Sequence, residues 1–146
     1  MRTKPDYFYI QSGVIPFRMR GGEMQVLLIT STGGKRWIIP KGIVEPGLSA
    51  SVSAAKEAEE EAGLEGTLYP TPMGTYQREK WGGTCTVEVF LMEVVEVMDV
   101  WPESFRRRQW MTIEEAAALI EEEDLKQLLR RAPAFLASLS GDNCNR

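Results

Sequence analysis

Glu57, Glu60 and Glu61 stand three and four residues apart in KEAEEEAGL, a spacing that puts three carboxylates on one stripe of a helix. Like charges stacked this way destabilise a helix by roughly 0.2–0.5 kcal/mol per pair. An acidic run is ordinarily a solvated face, but the context here points to a cation. The segment just upstream, RWIIPKGIVEPG, is an apolar strand-like piece broken by Pro40, Gly42, Pro46 and Gly47, a loop that leads straight into the acidic helix. Backbone carbonyls facing a row of carboxylates make a hard-cation site, and magnesium is usually held by a few carboxylates, waters and substrate phosphates. The small residues Ala50, Ser53 and Ala54 continue the stripe and leave room for something to approach.

The elements that must position these groups follow from pattern. Strands are expected over residues 8–17 and 26–30, separated by the Arg20-Gly21-Gly22-Glu23 turn, with a short apolar piece over 37–39. The acidic helix is expected over 49–62, ended by Gly63. Strand signals return over 67–77 and 84–97, with Trp81-Gly82-Gly83 as the turn between them, and a last strand is expected over 106–111. Thr112 with Glu115 three residues on is a capping box. Leu119, Leu125, Leu128, Leu129, Phe135, Leu136 and Leu139 predict a helical C-terminal region, interrupted near Pro133. Strands mixed with a central and a terminal helix give an α/β (α+β) class, a sandwich around a mixed sheet.

Length and composition bound the rest. The 146 residues fit one domain spanning 1–146, with a frayed tail over about 141–146. A net charge of −4 argues against general nucleic-acid binding, so any polyphosphate partner must be held by a local basic cluster and a metal. With no histidine, a His-based triad or zinc site is excluded, and Cys85 and Cys144 are too few for a disulfide framework. No signal segment is supported, because MRTKPDYFYIQSG has no apolar core followed by a small-residue cleavage site, and no membrane span, because Glu88, Glu93 and Glu96 interrupt the apolar run near Phe90. A cytoplasmic protein, monomer or homodimer, is expected.

From Gly42 the chain resembles the Nudix hydrolase box: Gly, five residues, Glu, seven residues, Arg-Glu, an apolar residue, any residue, Glu-Glu, any residue, Gly and an apolar residue. It supplies Gly42, Glu57, Ala58, Glu60, Glu61, Gly63 and Leu64, and departs at Leu48 and Lys56. TGGKRWIIPKGIVEPG, EAGLEG, GTYQREK and RRRQW are similar to the branch that hydrolyses diphosphoinositol polyphosphates and diadenosine polyphosphates. The resemblance implies an α/β/α sandwich and metal-dependent attack of water on a phosphoanhydride. It implies Mg2+ or Mn2+ on Glu57 and Glu61 with the Gly42 carbonyl, and Glu60 as base, although three adjacent carboxylates titrate as a set. A further Glu often joins the metal in this family, and Glu88, Glu93, Glu103 and Glu114 are candidates.

Candidate phosphate-binding residues are Lys35, Arg36, Lys41, Arg78, Lys80, Arg106, Arg107 and Arg108, cations of the types that meet phosphates as forks or point charges. Trp37, Tyr76, Trp81 and Trp110 are candidates for base stacking or for core packing. The N-terminal strand segment YFYIQSGVIPFR has few basic residues for a heavily phosphorylated inositol, which ranks dinucleoside polyphosphates first. Diphosphoinositol polyphosphates, ADP-ribose and an RNA 5′ end remain alternatives. Rival readings are an inactive Nudix-like nucleotide-binding module, motivated by Leu48 and Lys56, and an acidic docking face for a basic partner.

Overall fold

The computed structural model describes residues 9–80 and 82–144, with side chains to residue 139. Its eight strands join one mixed sheet. β1 (Ile10–Arg20) and β2 (Glu23–Thr30) form a hairpin closed by Gly21 and Gly22 at φ 57° and 79°, a pair of left-handed positions that glycine takes without a Cβ clash.

β1 is the pivot of the sheet. Its C-terminal end pairs with β2, whereas Gln11, Ser12 and Gly13 pair antiparallel with β4 (Lys41–Ile43). Its other edge runs parallel to β7 (Gly83–Val97) from Ile10 to Phe17. β3 (Trp37–Ile38) stays on β2, so Ile39 and Pro40 carry the chain from the edge of β2 to the edge of β1. β5 (Leu64–Leu68) and β6 (Gly74–Lys80) both pair with β7, and β8 (Arg108–Thr112) pairs with β2.

Alternation along β1 and β7 sorts two buried layers. Val14, Phe90 and Met92 pack against Ala54 and Ala58 of α1 (Ala50–Ala62). Their neighbours Ile15, Phe17, Val87, Val89 and Leu91 turn the other way, toward Ala116 of α2 (Ile113–Leu119) and Leu125, Leu128 and Leu129 of α3 (Glu123–Cys144). Helices on both faces of a mixed sheet are the α/β/α sandwich expected.

The helix signals hold where the chemistry of the cap is explicit. Ser49 Oγ accepts the Val52 N–H at 3.2 Å, and Gly63 ends α1 at φ 65°. Thr112 and Glu115 satisfy each other's backbone N–H groups at 3.1 and 2.8 Å, a complete capping box.

Several boundaries differ. The single strand expected over 67–77 is two, because Pro70 and Pro72 cannot donate to a ladder and force a connection over 69–73. The piece treated as loop around Gly42 is strand β4, paired to β1 over three residues, too short for a periodic signal. β1 extends past residue 17 to Arg20, and residue 8 lies outside the described residues, as does Trp81. α3 is not interrupted at Pro133: the proline sits on the exposed side and gives up one intrahelical bond without ending the helix. The helix also takes in 141–144, expected as tail. Ala50, Ser53 and Ala54 leave no open approach, since the sheet fills that space.

Candidate active site

The C-terminal end of α1 is tied down one carbonyl at a time. The last carbonyls of a helix have no intrahelical donor. Here Glu103 N–H donates to the Glu60 carbonyl at 3.0 Å and Trp101 Nε1 to that of Glu61 at 3.0 Å. Arg108 Nη1 donates to the Ala62 carbonyl at 3.0 Å and Met98 N–H to that of Gly63 at 2.8 Å. Three of the donors come from the segment joining β7 to β8 and the fourth, Arg108, opens β8, so the turn that carries Glu60 and Glu61 is fixed from outside.

Glu61 Oε1 accepts the Lys41 N–H at 3.0 Å, and Oε2 lies 3.9 Å from Arg106 Nη2. Glu57, one turn earlier, lies against Gly42: a Cβ built at 42 would fall 2.4 Å from the Glu57 carboxyl carbon. Only a residue without a side chain brings β4 this close to the carboxylate. Burial first, then the charges of Glu61, Glu60 and Glu103, push the Glu57 carboxyl up to about 8. Burial also raises Glu61, opposed by the Lys41 N–H bond and the Arg106 charge. Lys41 is pushed down to about 8, first by burial and then by Arg78.

Of the four additional glutamates, the fold brings Glu103 to this group. Its carboxylate accepts from Arg106 Nη2 at 2.8 Å and Nε at 3.0 Å, and its charge is felt by both Glu57 and Glu61. Glu114 pairs with Arg130 at 3.3 Å on the helical layer. Glu88 lies beside Ser12 and Thr75 in the sheet, and Glu93 is exposed opposite Thr67.

Beside Glu61 opens a cavity of about 290 Å³ whose lining includes Arg36, Lys41, Arg78, Lys80 and Arg106, together with Gln11. Arg78 and Lys80 share the face of β6 that carries Tyr76, by the two-residue repeat of a strand. Not every cation is equally disposed. Arg106 is buried and also holds the Thr30 carbonyl at 2.9 Å, clamping β2 to the Glu103 loop. Arg36 pairs with Glu121 at 2.9 Å.

Lys35, Arg107 and Arg108 are outside this lining. Lys35 is exposed in the turn after β2, Arg107 lies 5.4 Å over the Trp37 ring, and Arg108 stacks 3.7 Å over Trp101. Tyr76 is core, and Trp110 lies beneath Arg18 at 4.2 Å. Lys56 pairs with Glu45 at 3.1 Å, as its length allows, but both side chains are about half exposed, so solvent screens the brace. Leu48 is 37% exposed and leaves no charge buried. Gln11 was not singled out from the sequence. Its signal was a polar residue inside an apolar strand at a position sharing the face of Ile15 and Phe17.

Among the described residues no three acidic side chains close around one point as a ready-made metal cage. The neighbouring carboxylates of Glu57 and Glu61 nevertheless fit a divalent ion that keeps waters and takes substrate oxygens. The Gly42 cradle against Glu57 and the negative charges gathered around Glu57 are the two features that fit it.

Among the described residues no helix is long and apolar enough to cross a membrane. The model of the NUDIX domain matches residues 10–132. Nudix hydrolase 13, mitochondrial, of Arabidopsis thaliana is 32% identical over 145 residues, covering 84% of this chain and 72% of that protein. The bis(5'-nucleosyl)-tetraphosphatase (asymmetrical) of Sus scrofa is 35% identical over 123 residues, covering 79% and 82%. Diphosphoinositol polyphosphate phosphohydrolase 3-alpha of Mus musculus is 29% identical over 120 residues, covering 80% and 72%. In fold, the chain is similar to a C. elegans Ap4A hydrolase structure at a TM-score of 0.72, with 24% identity, 89% of this chain and 98% of that one covered. With the carboxylate turn of α1, the glycine pressed on it and the sandwich that holds both, the chain belongs to the Nudix hydrolase family.

Proposed function

We propose that this protein hydrolyses a phosphoanhydride bond of a dinucleoside polyphosphate or a related nucleoside diphosphate derivative. The observation that carries this reading is the sharing of Glu61 by two different surroundings. On one side are Glu57 and Gly42, and on the other is the cation-lined cavity. A carboxylate turn opening onto a phosphate-sized run of positive charge suits a reaction that needs alignment and charge neutralisation more than covalent help. The 35% identity to a bis(5'-nucleosyl)-tetraphosphatase supports the nucleotide class.

Glu57, Glu61 and the Gly42 carbonyl would hold Mg2+ or Mn2+, with Glu103 near enough in charge to join them. When bound, the ion supplies charge neutralisation to the phosphate oxygens. Lys41, Arg78 and Lys80 hold the anionic chain and fix which phosphorus faces the carboxylates. Glu60 takes a proton from the attacking water. The water oxygen bonds to phosphorus, the bridging P–O bond breaks, and the leaving phosphate departs with that electron pair.

The test is turnover of a panel of dinucleoside polyphosphates with magnesium, together with Glu57→Gln, Glu60→Gln and Glu61→Gln. Each variant should keep its melting temperature within a few degrees and lose turnover by orders of magnitude. Full activity in a chelator, or near-native turnover in all three variants, overturns the assignment.

A further inference from the structure

Gln11 is 3% exposed, lines the basic cavity, and its amide oxygen Oε1 has no hydrogen-bond partner. Its place in the sheet makes the choice of residue unusual. Its β7 neighbour is Val87, and the next in that row on β6 is Tyr76, both buried in the layer beneath α2 and α3. A valine or leucine would suit that row. An amide there that leaves its acceptor unmet costs stability, and the cavity is the space from which a partner can come.

The chemistry of that partner is constrained. Arg36, Lys41, Arg78, Lys80 and Arg106 are pure donors, so they call for anionic oxygens. Gln11 Oε1 is an acceptor and calls for an O–H or N–H. A bare, fully ionised phosphate chain meets the first demand and fails the second. A phosphorylated sugar with free hydroxyls meets both, and in a dinucleoside polyphosphate the donors nearest the phosphates are the ribose hydroxyls.

We propose that Gln11 is a specificity-determining residue that accepts a hydrogen bond from a ribose hydroxyl while Lys41, Arg78 and Lys80 hold the adjoining phosphates. The cavity thereby selects ribonucleotides over deoxyribonucleotides and over bare polyphosphate. The proposal rests on the hydrolase reading above for the identity of the substrate, and its test separates the two.

Binding of a methylene-bridged, non-hydrolysable diadenosine tetraphosphate and of its 2′,3′-dideoxy counterpart is measured by calorimetry with magnesium. Hydrolysis of the corresponding natural and dideoxy tetraphosphates is measured alongside. The wild-type protein should bind the ribose form about tenfold more tightly, as one hydrogen bond to a buried acceptor allows. The near-isosteric Gln11→Met should lose that preference, chiefly by binding the ribose form less well. Gln11→Glu, which keeps an acceptor and the same length, should retain the preference at lower overall affinity. The 2′-deoxy and 3′-deoxy forms identify which hydroxyl is read.

Hydrolysis with equal affinity for ribose and dideoxy forms overturns the Gln11 assignment and leaves the hydrolase reading standing; a resident water on Oε1 would give this result. A ribose preference lost in Gln11→Met but without hydrolysis sustains the assignment and sinks the hydrolase reading. No binding of either form by a folded protein overturns both.

Discussion

Replacing Gly42 by alanine isolates the geometry of the site from its chemistry. Gly42 lies in the ordinary extended part of backbone space, so alanine brings no conformational strain of its own. What it brings is a methyl group 2.4 Å from both the carboxyl carbon and Oε1 of Glu57, and 2.9 Å from Cγ, where ordinary contact begins at 3.4 Å. The obstacle is the far end of a flexible side chain, so the Glu57 carboxylate gives way by about 1 Å and the sheet does not. A displacement of about 1 Å in a group that aligns reacting atoms costs on the order of 100-fold in rate. Gly42→Ala should therefore melt within a few degrees of the wild type, bind magnesium more weakly and turn over roughly 100-fold more slowly. Circular dichroism gives the first quantity, and steady-state rates across a magnesium titration give the other two. Unchanged turnover with unchanged magnesium dependence would refute the placement of Gly42 and Glu57 in one site. A fold lost altogether would show that the methyl group moves the strand instead of the side chain.

Two further outcomes follow from the same geometry. Because the Glu57 carboxyl is raised to about 8 in the fold, its contribution to stability is complete below its unfolded value of 4.5 and is lost as pH rises through 8. The metal-free protein should melt lower at pH 8 than at pH 6, with magnesium raising the melting temperature more at pH 8 and Glu57→Gln flattening the profile; a flat wild-type profile contradicts this. Arg108→Ala removes two charged-donor bonds, to the Ala62 and Met98 carbonyls, and the stack on Trp101, which should cost about 2 kcal/mol in denaturant unfolding with KM changed less than threefold. A raised KM at unchanged stability would put this guanidinium on the substrate instead.

The carboxylate turn was legible because its information is local. Offsets of three and four residues, a serine cap and a glycine stop each act within α1. The same holds for the Thr112–Glu115 box and the Gly21-Gly22 hairpin. What the sequence could not sort was anything set by pairing across the chain. Four glutamates were equal candidates until the segment joining β7 to β8 folded onto the end of α1 and brought Glu103 to the group. The run Arg106-Arg107-Arg108 reads as one basic cluster, yet the three side chains diverge to a buried clamp, an exposed ring contact and a helix end. Gln11 was invisible as a site because a strand's polar residue has meaning only when the opposite wall of its cavity is known. Pro133 misled for the complementary reason. The rule against proline inside helices measures an isolated helix, and α3 is held by the sheet beneath it.

The four donors that close the end of α1 all arrive from residues 98–108, about forty positions later in the chain. A chain released from denaturant can wind α1 early, since its caps are its own. Its reactive turn cannot be completed until β7 is paired and the following segment has docked, because that loop closure is the slower, long-range event. On the proposed function, affinity for a divalent ion is thus a property acquired late in folding, after most helical signal has returned. Refolding followed by metal binding should lag refolding followed by circular dichroism.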